Sequence, residues 1–107
     1  MSSTRTATPV FASFADFYPY YLGEHANRSC RLLHFVGTTL VLATAAAALL
    51  AGHPSWLLLM PLFGYGFAWV GHFYFEKNRP ATFRHPLYSL MGDFVMYRDI
   101  WIGRVRL

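Results

Sequence analysis

The run from Leu32 to Phe75, LLHFVGTTLVLATAAAALLAGHPSWLLLMPLFGYGFAWVGHFYF, holds 44 consecutive residues without a single Asp, Glu, Lys or Arg. A membrane-crossing helix needs about 20 mostly apolar residues, so this run has room for two and a tight turn. Gly52-His53-Pro54-Ser55 supplies the turn. Glycine closes a helix at its C-terminal end, and proline is tolerated in the first turn of the next. These signals predict spans over Leu32–Ala51 and Pro54–Phe75, with Trp56 where interfacial aromatics gather. The alternative is a soluble hairpin buried in a larger assembly. Nothing else in 107 residues could cover so much apolar surface.

Composition agrees. The chain is 55% hydrophobic and 13% charged, against roughly 45–50% and 25% in ordinary soluble domains. Low charge and abundant aromatics exclude a disordered chain. Cys30 is the only cysteine, which excludes a disulfide framework. The length suits one domain over residues 1–107, with 1–9 a polar, flexible N-terminus lacking the apolar centre of a cleavable signal.

The net charge of +4 is a matter of topology rather than of nucleic-acid binding. Arg28 and Arg31 precede the first span, Lys77, Arg79 and Arg84 follow the second, and the turn between carries no Lys or Arg. By the positive-inside rule both termini are expected in the cytoplasm. The membrane would be the plasma or inner membrane of a bacterium, or the endoplasmic reticulum of a eukaryote. Arg98, Arg104 and Arg106 suit anionic headgroups on the same side.

Two flanking segments read as interfacial helices. Phe11–Leu22 is aromatic-rich, with Phe11, Phe14 and Tyr18 on one face and an interruption near Pro19. Pro86–Ile102 carries an apolar stripe of Leu87, Leu90, Phe94 and Ile100 or Trp101, and Asn78–Pro86 is a loop with two prolines. The expected fold is all-α: a membrane-embedded helical hairpin of two spans, flanked by interfacial amphipathic helices. So thin a scaffold suits association, and a homodimer is the expected form.

Five histidines in so poorly charged a chain are the chemical signal. His34 lies about one turn inside the first span and His72 about one turn inside the far end of the second, so an antiparallel hairpin brings them to similar depth. His25 and His85 flank the spans on that side, near Glu24, Glu76 and Asp93, and only His53 lies opposite. Ionisable groups at membrane depth are expensive and usually functional, and neutral imidazole ligates iron, zinc and copper. Glu76, four residues after His72, falls on the same face of a continuing helix. It could complete a metal site or orient the imidazole. His25 and His34, nine apart, would oppose each other on one straight helix, so the chain must break near Gly23–Asn27 if both are ligands. Arg28, Arg79 and Arg84 could pair with a carboxylate or serve as topology anchors. A non-catalytic membrane module binding metal, haem or lipid through these histidines fits the same residues.

The pattern Tyr21-x3-His25-x-Asn27-Arg28-x5-His34-x2-Gly37, then Trp69-x2-His72-x3-Glu76-Lys77-Asn78-Arg79-Pro80-Ala81 and Pro86-x2-Ser89-x2-Gly92-Asp93-x2-Met96, resembles the 2-hydroxy fatty acid dioxygenase family. The resemblance runs from about Phe14 to Met96. It implies a small helical membrane enzyme that uses Fe(II) and dioxygen in alpha-oxidation, shortening a 2-hydroxy fatty acid by one carbon with release of carbon dioxide. It also implies His25, His34 and His72 as the metal ligands. Glu76, Asp93 or His85 would then complete or orient that set, and Arg28, Arg79 or Arg84 would bind the substrate carboxylate.

The orientation is testable. A cysteine placed at His53 should react with an impermeant thiol reagent added outside the cell, whereas one placed at Arg84 should not. The opposite pattern reverses the topology.

Overall fold

The computed structural model describes residues 10–107, so the expectation for residues 1–9 lies outside the described part. Among the described residues the fold is entirely helical. Helix α1 spans Phe14–Gly23, and the Ser13 side chain accepts from the amide of Asp16 at its start. Pro19 sits inside α1 and does not interrupt it. The expected break is absent because Phe17 and Tyr21, on either side of the proline, are both fully packed and hold the helix from outside.

Helix α2 runs over Arg28–Ala51, four residues longer at its start than the charge-free run. Asn27 sets that start, its side-chain oxygen accepting from the amides of Ser29 and Cys30. Gly52 ends α2 in the left-handed region at φ 69°. The chain returns through a 3₁₀ turn, Pro54–Leu58, into α3 over Leu59–Val70, and α3 continues as a π-helical turn over Gly71–Glu76. α2 and the continuous helix Pro54–Glu76 are each long and apolar enough to cross a membrane. They pack antiparallel. A Cβ on Gly37 would stand 3.0 Å from Cβ of Phe67, and one on Gly71 would stand 3.2 Å from Cα of Cys30, so these glycines allow the close approach.

A short 3₁₀ turn, Ala81–Phe83, leads to α4 over Pro86–Trp101. α1 and α4 pack together beside one end of the hairpin, around a core of Phe17, Tyr21, Ala81 and Met96. The Tyr18 hydroxyl donates to Asp99 at 2.8 Å and ties the two helices together. α4 turns Ser89, Gly92, Met96 and Asp99 inward, while Leu87, Leu90, Phe94 and Trp101 stay exposed. The apolar stripe read from the sequence is therefore the outward face, as an interfacial helix requires. On α1 Phe17 and Tyr21 are buried, with Phe14 and Tyr18 half-buried against the same core. Small and polar residues of α4 face the protein because they admit close contact, and the large apolar ones are left for the surroundings.

Gly92 is the tightest of these contacts. A Cβ there would lie 2.8 Å from two carbons of the Tyr21 ring. Gly92→Ala should cost about 1–3 kcal/mol by overpacking, read as a lower unfolding midpoint in detergent. Gly66→Ala, which meets nothing within 4 Å, should not lower it.

Candidate metal centre

The four-residue gap between α1 and α2 lets His25 and His34 face one another despite their spacing, and the antiparallel hairpin adds His72. All three are buried. Nε2 of His25 lies 3.1 Å from Nε2 of His34 and 2.9 Å from Nε2 of His72. The three rings are close to mutually perpendicular, with interplanar angles of 89°, 77° and 90°. They converge edge-on upon one point.

The opposite ring nitrogens decide the protonation. Nδ1 of His25 meets the carbonyl of Tyr21 at 2.7 Å, and Nδ1 of His34 meets the carbonyl of Cys30 at 2.9 Å. Nδ1 of His72 meets Oδ1 of Asn78 at 2.8 Å. The Asn78 amide nitrogen donates to the Glu24 carbonyl at 3.1 Å, which fixes the direction of that amide. Every partner is an acceptor, so every Nδ1 must donate, and each neutral ring presents a bare lone pair from Nε2. The His25 lone pair, at these distances, repels those of His34 and His72. A cation between them turns that repulsion into ligation, with each imidazole held from behind as metal-binding histidines usually are. Burial, reinforced by the neighbouring His34 and His72, holds His25 well below the usual imidazole value and so in the neutral form that ligates. The cavity at the focus has a volume of about 20 Å³, enough for one ion or a water-sized ligand.

Cys30 belongs to the same cluster. One donor atom each from His25, Cys30, His34 and His72 lies within 4.8 Å of the others. Its Sγ sits 3.7 Å from Nδ1 of His34, on the far side of that ring from Nε2.

The other predicted residues are placed differently. Glu76 accepts a hydrogen bond from the backbone amide of Asn27, and it is Asn78 that takes up His72 Nδ1. The segment from Gly71 to Glu76 is wound as a π-helical turn. Lys77 then adopts the left-handed conformation at φ 59°, so that the Asn78 amide reaches the His72 carbonyl and its side chain reaches the ring. Asn78, read from sequence as a loop-shaping residue, is therefore the partner of His72. The Lys77-Asn78 step after the helix is the signal that carried it. Asp93 lies at the cavity wall and accepts from the Tyr21 hydroxyl at 2.5 Å, while the Tyr21 ring stacks on His25 with centroids 4.0 Å apart. Its enclosure raises the Asp93 carboxyl to about 6, although the Tyr21 hydrogen bond pulls the other way. His85 packs against Phe11, Phe17 and Tyr20, apart from the cluster. Arg28 is exposed on the first turn of α2. Arg79 and Arg84 line a second cavity of about 330 Å³ that meets the histidine cavity at Pro80 and Ala81. His53 stacks on Trp56 at the remote turn.

Residues 11–105 match the sequence model of a family described as Mpo1-like, 2-hydroxy-palmitic acid dioxygenase Mpo1-like. No curated protein and no solved structure matches the chain.

Asn78→Ala leaves His72 free to turn and should weaken metal binding about 10–100-fold. Titration of the purified variant with ferrous ion measures this, and unchanged affinity would reduce Asn78 to a loop residue.

Proposed function

The chain belongs to the Mpo1-like family, and on that premise we propose that it is a membrane-embedded, Fe(II)-dependent dioxygenase of 2-hydroxy fatty acids. The observation that carries the proposal is the focus of three Nε2 lone pairs with every Nδ1 committed to an acceptor. His25, His34 and His72 are the proposed ligands. With bonds of about 2.1 Å, two nitrogens at right angles around an ion lie about 3.0 Å apart, and at a tetrahedral angle about 3.4 Å. His25 Nε2 stands 3.1 and 2.9 Å from the other two, near the right-angle value, which suits an octahedral ion that keeps positions open. That supports iron over a tetrahedral zinc. A haem held between His34 and His72 is disfavoured, because their perpendicular rings, 4.9 Å apart, leave no room for a macrocycle.

Bound ferrous iron would supply the electron-transfer chemistry that lets dioxygen react with a closed-shell acid. The overall balance needs no other reductant: a 2-hydroxy acid plus dioxygen gives the acid one carbon shorter, carbon dioxide and water. The protein's part is to hold three neutral imidazoles on one side of the cavity and leave the wall of Tyr65, Ser89 and Asp93 free for substrate. Tyr21, fastened by Asp93 and wedged against Gly92, keeps the His25 ring in place. Arg79 and Arg84, across the Pro80-Ala81 wall, attract the anionic head toward the site. Membrane embedding is supported by the bare flanks of the hairpin, where Leu49, Leu50 and Leu58 are 78%, 90% and 78% exposed.

Purified protein loaded with ferrous ion should convert 2-hydroxypalmitic acid to pentadecanoic acid, detected by mass spectrometry, and chelation should abolish this. Alanine at His25, His34 or His72 should remove most iron and turnover, whereas His53→Ala should match the parent. Arg84→Gln should keep its iron and raise KM about tenfold. Full iron and activity in the His34 or His72 variant would overturn the ligand set, and a Soret band in place of bound iron would overturn the oxygenase.

A further inference from the structure

A third cavity, of about 340 Å³, opens between α2, α3 and α4. His34, Tyr65 and Asp93 line both it and the histidine cavity, so the two adjoin. Away from that junction its wall is almost wholly apolar, with Val41 from α2, Gly64 from α3, and Leu90 and Phe94 from α4. The other observation is Ser89. It is only 2% exposed, it lines the histidine cavity, and its Oγ has no hydrogen-bond partner among the described residues. A buried hydroxyl without a partner is costly, and a ligand with a polar head would satisfy it.

α4 sets these two features side by side. Ser89 and Asp93 are four residues apart and so share one face. Leu90 and Phe94, each one position on, form the adjoining apolar face. A polar end at the metal focus that runs into an apolar groove is the shape of a single-chain amphiphile. We infer that this groove takes the acyl tail of the substrate, while Ser89 Oγ donates to its carboxylate beside the three histidines. The inference rests on the dioxygenase reading and adds a site for each end of the substrate.

Gly64 sets how far the tail can run. It lies eight residues from His72, and the facing Val41 lies seven from His34, so both stand about 10–12 Å along the helices from the focus. A Cβ on Gly64 would meet only Cγ2 of Val41, at an ordinary 3.4 Å, so a larger side chain there enters the groove rather than breaking the hairpin. A six-carbon acid ends short of this point and a palmitic chain passes it.

The test uses the full chain in lipid nanodiscs, with two acids and two variants. Gly64→Leu should lower kcat/KM for 2-hydroxypalmitic acid about tenfold or more, as overpacking does. It should leave 2-hydroxyhexanoic acid within about twofold and iron content unchanged. Ser89→Ala should raise KM for both acids alike, about tenfold, with iron unchanged. In metal-free protein, a 2-hydroxy fatty acid with a mid-chain diazirine should crosslink to Val41, Gly64 or Phe94. Equal loss for both acids in an iron-loaded Gly64→Leu, or crosslinks on the outer face at Leu49 and Leu58, would overturn the groove. Unaltered KM in Ser89→Ala would overturn the head-group contact. If the parent chain shortens neither acid, the dioxygenase reading fails by itself, and the crosslink on metal-free protein still decides the groove. The crosslink also decides it if Gly64→Leu loses its iron.

Discussion

Three imidazole lone pairs aimed at one point form an arrangement that the chain cannot satisfy with its own atoms. Each ring is pinned from behind by an oxygen that can only accept, and the three oxygens come from α1, the first turn of α2 and the segment after α3. Much of the local architecture serves that pinning. The gap between α1 and α2 lets His25 double back, Asn27 starts α2 where His34 will point inward, and the left-handed Lys77 brings Asn78 under His72. Converging lone pairs are unfavourable without a cation, so an ion held there and the packing of this end of the molecule would stabilise one another.

The hairpin was legible in the sequence because its signal is a shortage of charge, and a shortage over 44 residues survives any local irregularity. The break between His25 and His34 was legible for a geometric reason: nine residues of straight helix put two side chains on opposite faces. Glu76 shows where such reasoning stops. Its hydrogen bond goes to the Asn27 amide, a partner that helical spacing from His72 does not reveal. Nothing in the spacing of His72 and Glu76 records how the backbone between them is wound. Asn78 was passed over for a related cause, because a residue beyond a helix end has no fixed direction until the turn before it is known.

The outward apolar face of α4 follows from its surroundings. In water, the large apolar residues of an amphipathic helix mark the packed side. Where a bilayer rather than water is the surroundings, they are as comfortable outside, and contact inside is made by Gly92, Ser89 and Met96. Ser89 was quoted in the sequence pattern without a role. Only its burial, with an unused hydroxyl, distinguishes it from the many serines that pack a helix face.

The π-helical turn has a consequence for how this chain can vary in length. A π turn is an α turn that has kept one residue too many. Deleting a residue between His72 and Asn78 would yield a more regular helix, yet it would swing everything beyond it by about 100° about the axis and carry the amide oxygen away from the ring. The extra residue is what the site uses, since the shorter chain would be better helix and a worse cradle for His72. Among relatives, gaps and extra residues should collect at the Gly52–Pro54 turn and avoid this short interval. That pattern would distinguish descent under selection for the site from descent under selection for the hairpin alone.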